Sequence, residues 1–198
     1  ANTTTKTRMM VQIAMLTAVA EVLMLFDFPL PFAPSFYKID LSEVPILIGC
    51  FAMGPAAGII IEAMKILLNF IISGTVTAGV GELANFAIGC SMVLPAGLIY
   101  RYHKTRKNAV LGMAAGTLVM ATIGGLLNAF VLLPAYAALF GGMDAIIGMG
   151  TAVNKNITSV QSFVLLSVVP FNLVKGVIVS LVTFLLYKHV SRVLIHNA

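Results

Sequence analysis

The chain has 198 residues, of which 60% are hydrophobic and only 10% charged, with 12 Lys and Arg against 7 Asp and Glu. A soluble domain carries about 25% charged residues, so this composition, with a mean hydropathy of +1.02, excludes an ordinary water-soluble protein. The net charge of +5 points to the basic cytoplasmic loops of a membrane protein rather than to nucleic acid.

Residues 1–7 read as disordered or as an expression remnant, and 8–190 as one membrane domain. A first helix is expected over 8–26. No small-residue cleavage site follows it, so it reads as a retained span and not a signal peptide. In it Ala14 and Ala18 lie four apart, a spacing that allows another backbone to approach closely. On spacing alone, packing inside the bundle is the preferred reading of the pair. A loop follows over 27–41, where Pro29, Pro31 and Pro34 and several aromatics make a flexible linker a poor description. A short second helix is expected over 42–53, with Pro45 in its first turn. Gly54 and Pro55 form a turn into a third helix over 55–72. Glu62 and Lys65 are three apart there and are expected to pair with each other or with a neighbouring helix.

A Gly/Thr loop at 73–80 leads to a fourth helix over 81–100, then a basic loop at 101–108. A fifth helix is expected over 109–140, broken near Pro134. Gly112, Gly116, Met120 and Gly124 recur every fourth residue along it and read as a close-packing seam. Residues 141–159 read as a polar, Gly-rich loop. A sixth helix is expected over 160–187, and 191–198 as a cytoplasmic tail. Cys50 and Cys90 stand alone in apolar runs and make no redox or metal motif.

The expected architecture is an all-α integral membrane protein, a bundle of six transmembrane helices. Lys6, Arg8, Arg101, Lys104, Arg106, Lys107, Lys188 and Arg192 fall on one side of it and only Lys38 and Lys155 on the other. By the positive-inside rule both termini are cytoplasmic. His103, His189 and His196 all lie in cytoplasmic segments. No phosphate-binding loop, nucleophile–base pair or carboxylate cluster of metal spacing is present, so neither ATP hydrolysis nor intramembrane catalysis is expected. Without an internal repeat, a stand-alone inverted-repeat transporter is disfavoured.

The polar residues inside the spans carry the functional signal. At about 1.5 Å per residue, Asn85, Asn128 and Lys175 lie roughly 20–30 Å above the basic end. Asn172 shares a helix face with Lys175. A lysine at that depth is costly unless it faces a partner or a cavity; snorkelling to the interface is the alternative. Glu82 stands at the outer mouth of helix four, and Lys38, Asp40 and Glu43 border the first outer loop. Together these groups read as one polar site open to the outside. A scaffold whose polar groups bind only each other is the competing reading.

The stretches 36–45 (FYKIDLSEVP), 54–58 (GPAAG), 81–86 (GELANF) and 170–176 (PFNLVKG), with Asn128 ahead of 134–136 (PAY), carry a resemblance over nearly the whole chain. The sequence resembles the riboflavin-binding S component of energy-coupling factor (ECF) vitamin transporters. The resemblance implies a multi-pass protein of the cell membrane with no enzymatic activity and no cofactor, riboflavin being bound as transported substrate. It implies a lid at 27–41 and a vitamin site made by Lys38, Ile39, Asp40, Leu41, Glu82, Asn85, Asn128, Tyr136, Asn172 and Lys175. It implies no metal site. As partners it implies a transmembrane coupling subunit, docked on Ala14 and Ala18, and two ATPase subunits.

Overall fold

A computed structural model describes residues 3–75 and 77–195, with side chains for 5–75 and 77–187. The elements are α1 (Thr3–Leu25), a two-residue ladder of β1 (Phe28–Pro29) and β2 (Lys38–Ile39), α2 (Glu43–Met53), α3 (Pro55–Ser73), α4 (Val80–Tyr102), α5 (Arg106–Leu127), α6 (Leu133–Leu139), α7 (Met143–Val153), α8 (Val160–Phe163) and α9 (Val169–Ile195). Among the described residues, five helical segments are long and apolar enough to cross a membrane: Thr5–Leu25, Pro55–Ser73, Val80–Tyr102, Arg106–Leu139 and Val160–Tyr187.

The short α2 is the axis of the bundle. Residues 43–51 of it are all buried, and it packs against α1, α3, α4 and α9. A helix that is apolar all round belongs in an interior. The Asp40 carboxylate starts it, accepting the backbone N–H of Ser42 at 2.8 Å. Gly54, at φ +104°, ends it and lets Pro55 open α3 in the one place where its missing N–H costs nothing.

The glycine seam on α5 packs as expected. A Cβ at Gly112 would lie 2.7 Å from the Ala96 carbonyl oxygen, and one at Gly116 would strike the Met92 backbone, so α4 and α5 touch main chain to main chain. Higher up, the same row turns to α9, where a Cβ at Gly124 would lie 2.8 Å from Asn172 Nδ2.

Three expectations are corrected. Helix five is not broken at Pro134. A π-helical turn over Asn128–Leu132 precedes it, with Leu133 N–H reaching back to the Asn128 carbonyl. A second π-turn, Val164–Val168, precedes Pro170 in the same way, with Val169 N–H bonded to the Val164 carbonyl. A proline ring clashes with the carbonyl four residues back in an α-helix, and the wider turn relieves that clash without ending the helix. Second, 141–159 is not all loop: α7 occupies Met143–Val153, with Ile146 and Gly150 buried beside Ile157 and Phe163. Third, helix begins at Thr3 rather than at residue 8 and runs on to Ile195 at the other end of the chain. Residues 1–2 of the expected disordered start and 196–198 of the expected tail, His196 among them, lie outside the described residues, as do the side chains of Lys188, His189 and Arg192.

Candidate functional site

A cavity of about 720 Å³ opens at one end of the bundle. The end of α1, the 36–40 loop, the end of α3, the start of α4, the first π-turn and the start of α9 all contribute to its lining. It therefore lies opposite the Thr105 turn that joins α4 to α5, where the basic loop sits.

Period-two backbone builds the loop wall. Lys38 and Asp40 face the cavity, while Ile39 is fully buried in the core under α6 and α9 and Leu41 packs against the core around α2. Successive side chains of an extended strand point to opposite sides, so Ile39 and Leu41, expected in the site, do not line it with their side chains. Lys38 Nζ meets Asp27 Oδ1 at 3.1 Å in an exposed pair across the ladder. Asp40 Oδ2 meets Lys175 Nζ at 3.0 Å in a buried one. Burial alone would push the Asp40 carboxyl up; Lys175, then Lys65, and hydrogen bonds from Ser42 outweigh that and hold it at about 2.

Tyr37 closes the loop onto the helices. Its hydroxyl donates to Asn128 Oδ1 at 2.5 Å, and burial raises its pKa, so it stays a donor. Asn128 Nδ2 is spent on the Gly124 carbonyl at 2.7 Å, and Asn172 Nδ2 on Val168 at 3.0 Å. Asn128 thus serves the loop with its amide oxygen and its own helix with its amide nitrogen. Asn172 keeps its carbonyl oxygen, and Asn85 makes no side-chain hydrogen bond among the described residues. The apolar part of the lining is aromatic: Phe36 stands edge-on to Tyr136 at 5.5 Å, and Tyr37 is tilted against Phe171 at 5.4 Å.

On the far wall Glu82 accepts a hydrogen bond from Thr75 at 3.0 Å, and Asn69 donates to Glu21 of α1 at 3.2 Å. Asn69, Thr77 and Phe171 line the cavity but stand outside the sequence-derived set. Asn69 was findable: it lies one turn beyond Lys65 on the same face of helix three. Lys65 itself lies outside the lining. It bridges Glu62 at 2.9 Å and Glu43 at 3.0 Å, fully buried, and ties α3 to α2. Gly89 leaves the space these carboxylates fill: a Cβ there would lie 2.7 Å from Glu62 Cδ. Ala14 and Ala18 are both exposed, on a flank of α1 that adjoins the buried Thr17 and Glu21.

Residues 8–187 match the family described as ECF transporter, substrate-specific component. The chain is 35% identical to the riboflavin transporter RibU of Staphylococcus aureus strain TCH60, over 93% of this chain and 91% of that protein. It is 33% identical to the riboflavin transporter FmnP of Bacillus subtilis strain 168, over 92% and 91%. Among solved structures, one described as the S component of a bacterial ECF transporter superposes with a TM-score of 0.75, at 35% identity, covering 96% of this chain and 98% of that one.

Proposed function

The chain belongs to the ECF transporter substrate-specific components, and from that premise we propose that it captures riboflavin in the cavity beneath the 27–41 loop and delivers it by docking on an ATP-driven module. The observation that carries the reading is the lining of the cavity, which pairs an aromatic face with amide and ammonium groups that still have capacity to bond. At about 720 Å³ it falls within the roughly 300–1,000 Å³ usual for small-molecule sites.

Riboflavin is neutral, with a flat ring system whose pyrimidine edge alternates donors and acceptors. Asn85 offers both kinds of group and Asn172 an acceptor. Lys175 gives one N–H to Asp40 and keeps two for a flavin carbonyl. Phe36, Tyr136 and Phe171 supply ring contacts. The ribityl hydroxyls must be met as they leave water, and Asn69, Thr77 and Glu82 stand on the wall available for that. A scaffold without ligand has no use for an unpartnered Asn85 in such a space.

The cavity faces outward in this reading, since the basic loop lies at the opposite end, and both termini are cytoplasmic. The short α2 counts as the sixth transmembrane helix, completing a six-helix bundle. Ala14 and Ala18 present a small-residue stripe to a transmembrane coupling subunit, and two ATPase subunits supply the energy. Protein purified from riboflavin-fed cells and then denatured should release roughly stoichiometric flavin. Flavin-free protein that stays flavin-free after incubation with the vitamin overturns the proposal.

A further inference from the structure

A second groove runs down the opposite half of the molecule, between α5 and α9. Val110, Leu111, Ala114 and Phe184 line its length, and the apolar stems of Arg106 and Lys107, in the first turn of α5, line the end we take as its mouth. Its volume is about 460 Å³. On α5, Lys107, Val110, Leu111 and Ala114 follow i, i+3, i+4, i+7 spacing and so form one face. Ala114 has the smallest side chain of the lining and so leaves the most room along the groove.

No ion pair among the described residues involves Arg106 or Lys107. The sequence holds no Asp or Glu in 83–143 or in 145–198, so neither helix of the groove carries an acid. Both cations lie in the first turn of α5, whose Thr105 side chain accepts the Asn108 N–H at 3.2 Å. The positive end of that helix adds to their field. The groove below them is apolar for seven residues, or about 10 Å of helix, and it opens to the surface that lipid covers.

We propose that this groove is a binding site for one anionic phospholipid, whose phosphate pairs with Arg106 and Lys107 and whose acyl chain lies along Ala114 against Phe184. Paired cations above an apolar channel match the two halves of that molecule, as basic pockets between membrane helices do elsewhere. A zwitterionic lipid would fill the channel equally but bring its own cation to the mouth. A protein helix would have to bring carboxylates to the same point.

The chain contains no Trp, so Phe184→Trp places a single fluorophore in the groove wall. The protein is reconstituted in phosphatidylcholine vesicles, and phosphatidylglycerol or phosphatidylcholine with brominated acyl chains is titrated in as quencher. Phosphatidylglycerol should quench at a mole fraction on the order of tenfold lower than phosphatidylcholine. The preference should vanish with Arg106→Gln/Lys107→Gln, and also with Ala114→Leu, which fills the channel and leaves both charges. Leu98→Trp is the control for general enrichment of anionic lipid. Leu98 is exposed on α4, near the level fixed by the Tyr100–Tyr187 hydrogen bond, with Arg101 one turn away, and it is not part of the groove's lining. It should show no such preference. The site is overturned if the two lipids quench the Phe184→Trp protein alike, if the preference survives the double Gln variant, or if Leu98→Trp shows it equally. Native mass spectrometry of wild-type protein gives a fluorophore-free check: a retained phosphatidylglycerol is expected, and its absence counts against the site.

Discussion

Asp40 and Lys175 are 135 positions apart in the sequence and 3.0 Å apart in the fold, and between them they hold the loop wall to the helix wall. Removing one partner strands the other charge in a nearly dry site, which costs about 3–5 kcal/mol. Lys175→Met and Asp40→Asn should therefore each weaken riboflavin binding strongly, and the double variant should lose less than the sum of the two. Simple additivity in an equilibrium titration would mean the pair is not coupled. The pH dependence follows from the direction of the Asp40 shift. Its carboxyl is held at about 2, below the ordinary value of 3.8, so its contribution is complete above that ordinary value and disappears only as the pH falls through about 2. Asp40 should thus impose no change in affinity between about pH 8 and pH 5; a transition in that window that Asp40→Asn removes would contradict the assignment. Residue depth along each helix brought Asn85, Asn128, Asn172 and Lys175 together from the sequence alone. It could not show that Tyr37 occupies Asn128 or that Asp40 is the partner of Lys175, because both contacts join segments with no local relation.

Elements place these residues through two devices, the glycine seam and the pinned loop. Main-chain contact of Gly116 with Met92 sets the spacing of α4 and α5, and these helices carry Asn85 and lead to Asn128. Gly116→Leu cannot fit without moving a helix, so it should destabilise the fold by about 1–3 kcal/mol or more and weaken riboflavin binding at a distance. An unchanged thermal midpoint in detergent would show that the helices can part freely there. The loop is pinned at Asp27–Lys38, Tyr37–Asn128 and Asp40–Lys175. Tyr37→Phe releases the middle pin; limited proteolysis between residues 30 and 38 should speed up, and riboflavin should slow it again. Cleavage that ignores both changes would remove the loop from the site. Hydropathy and capping signals made the long helices and the short α2 legible. They missed α7 because its glycines and polar flanks dilute the apolar pattern, although Met143, Ile146, Ile147 and Gly150 keep helical spacing. The π-turns were unreadable for another reason: proline signals a weakened helix, and the wider turn that accommodates it without a break has no residue signature of its own.

Across the whole molecule, the two functions proposed above, capture and docking, would use separate surfaces. The cavity lies at one end, and Ala14 and Ala18 are exposed along α1. Sequence spacing favoured internal packing for these alanines, and only the resemblance pointed to docking; both are exposed in the isolated chain. Ala18→Trp should leave riboflavin binding to the purified protein intact and abolish vitamin uptake in cells, because close helix approach in lipid depends on small side chains. Uptake that survives at normal expression would place docking elsewhere. All of this presumes that the cavity holds the vitamin, and equilibrium titration of riboflavin with purified protein, read by quenching of flavin fluorescence, tests that most directly. Saturable quenching at roughly stoichiometric flavin, weakened by about 1–3 kcal/mol in Asn172→Leu, is the predicted result. Flavin fluorescence that stays unchanged up to the solubility limit of the vitamin, or full wild-type affinity in the Asn172→Leu protein, would contradict it.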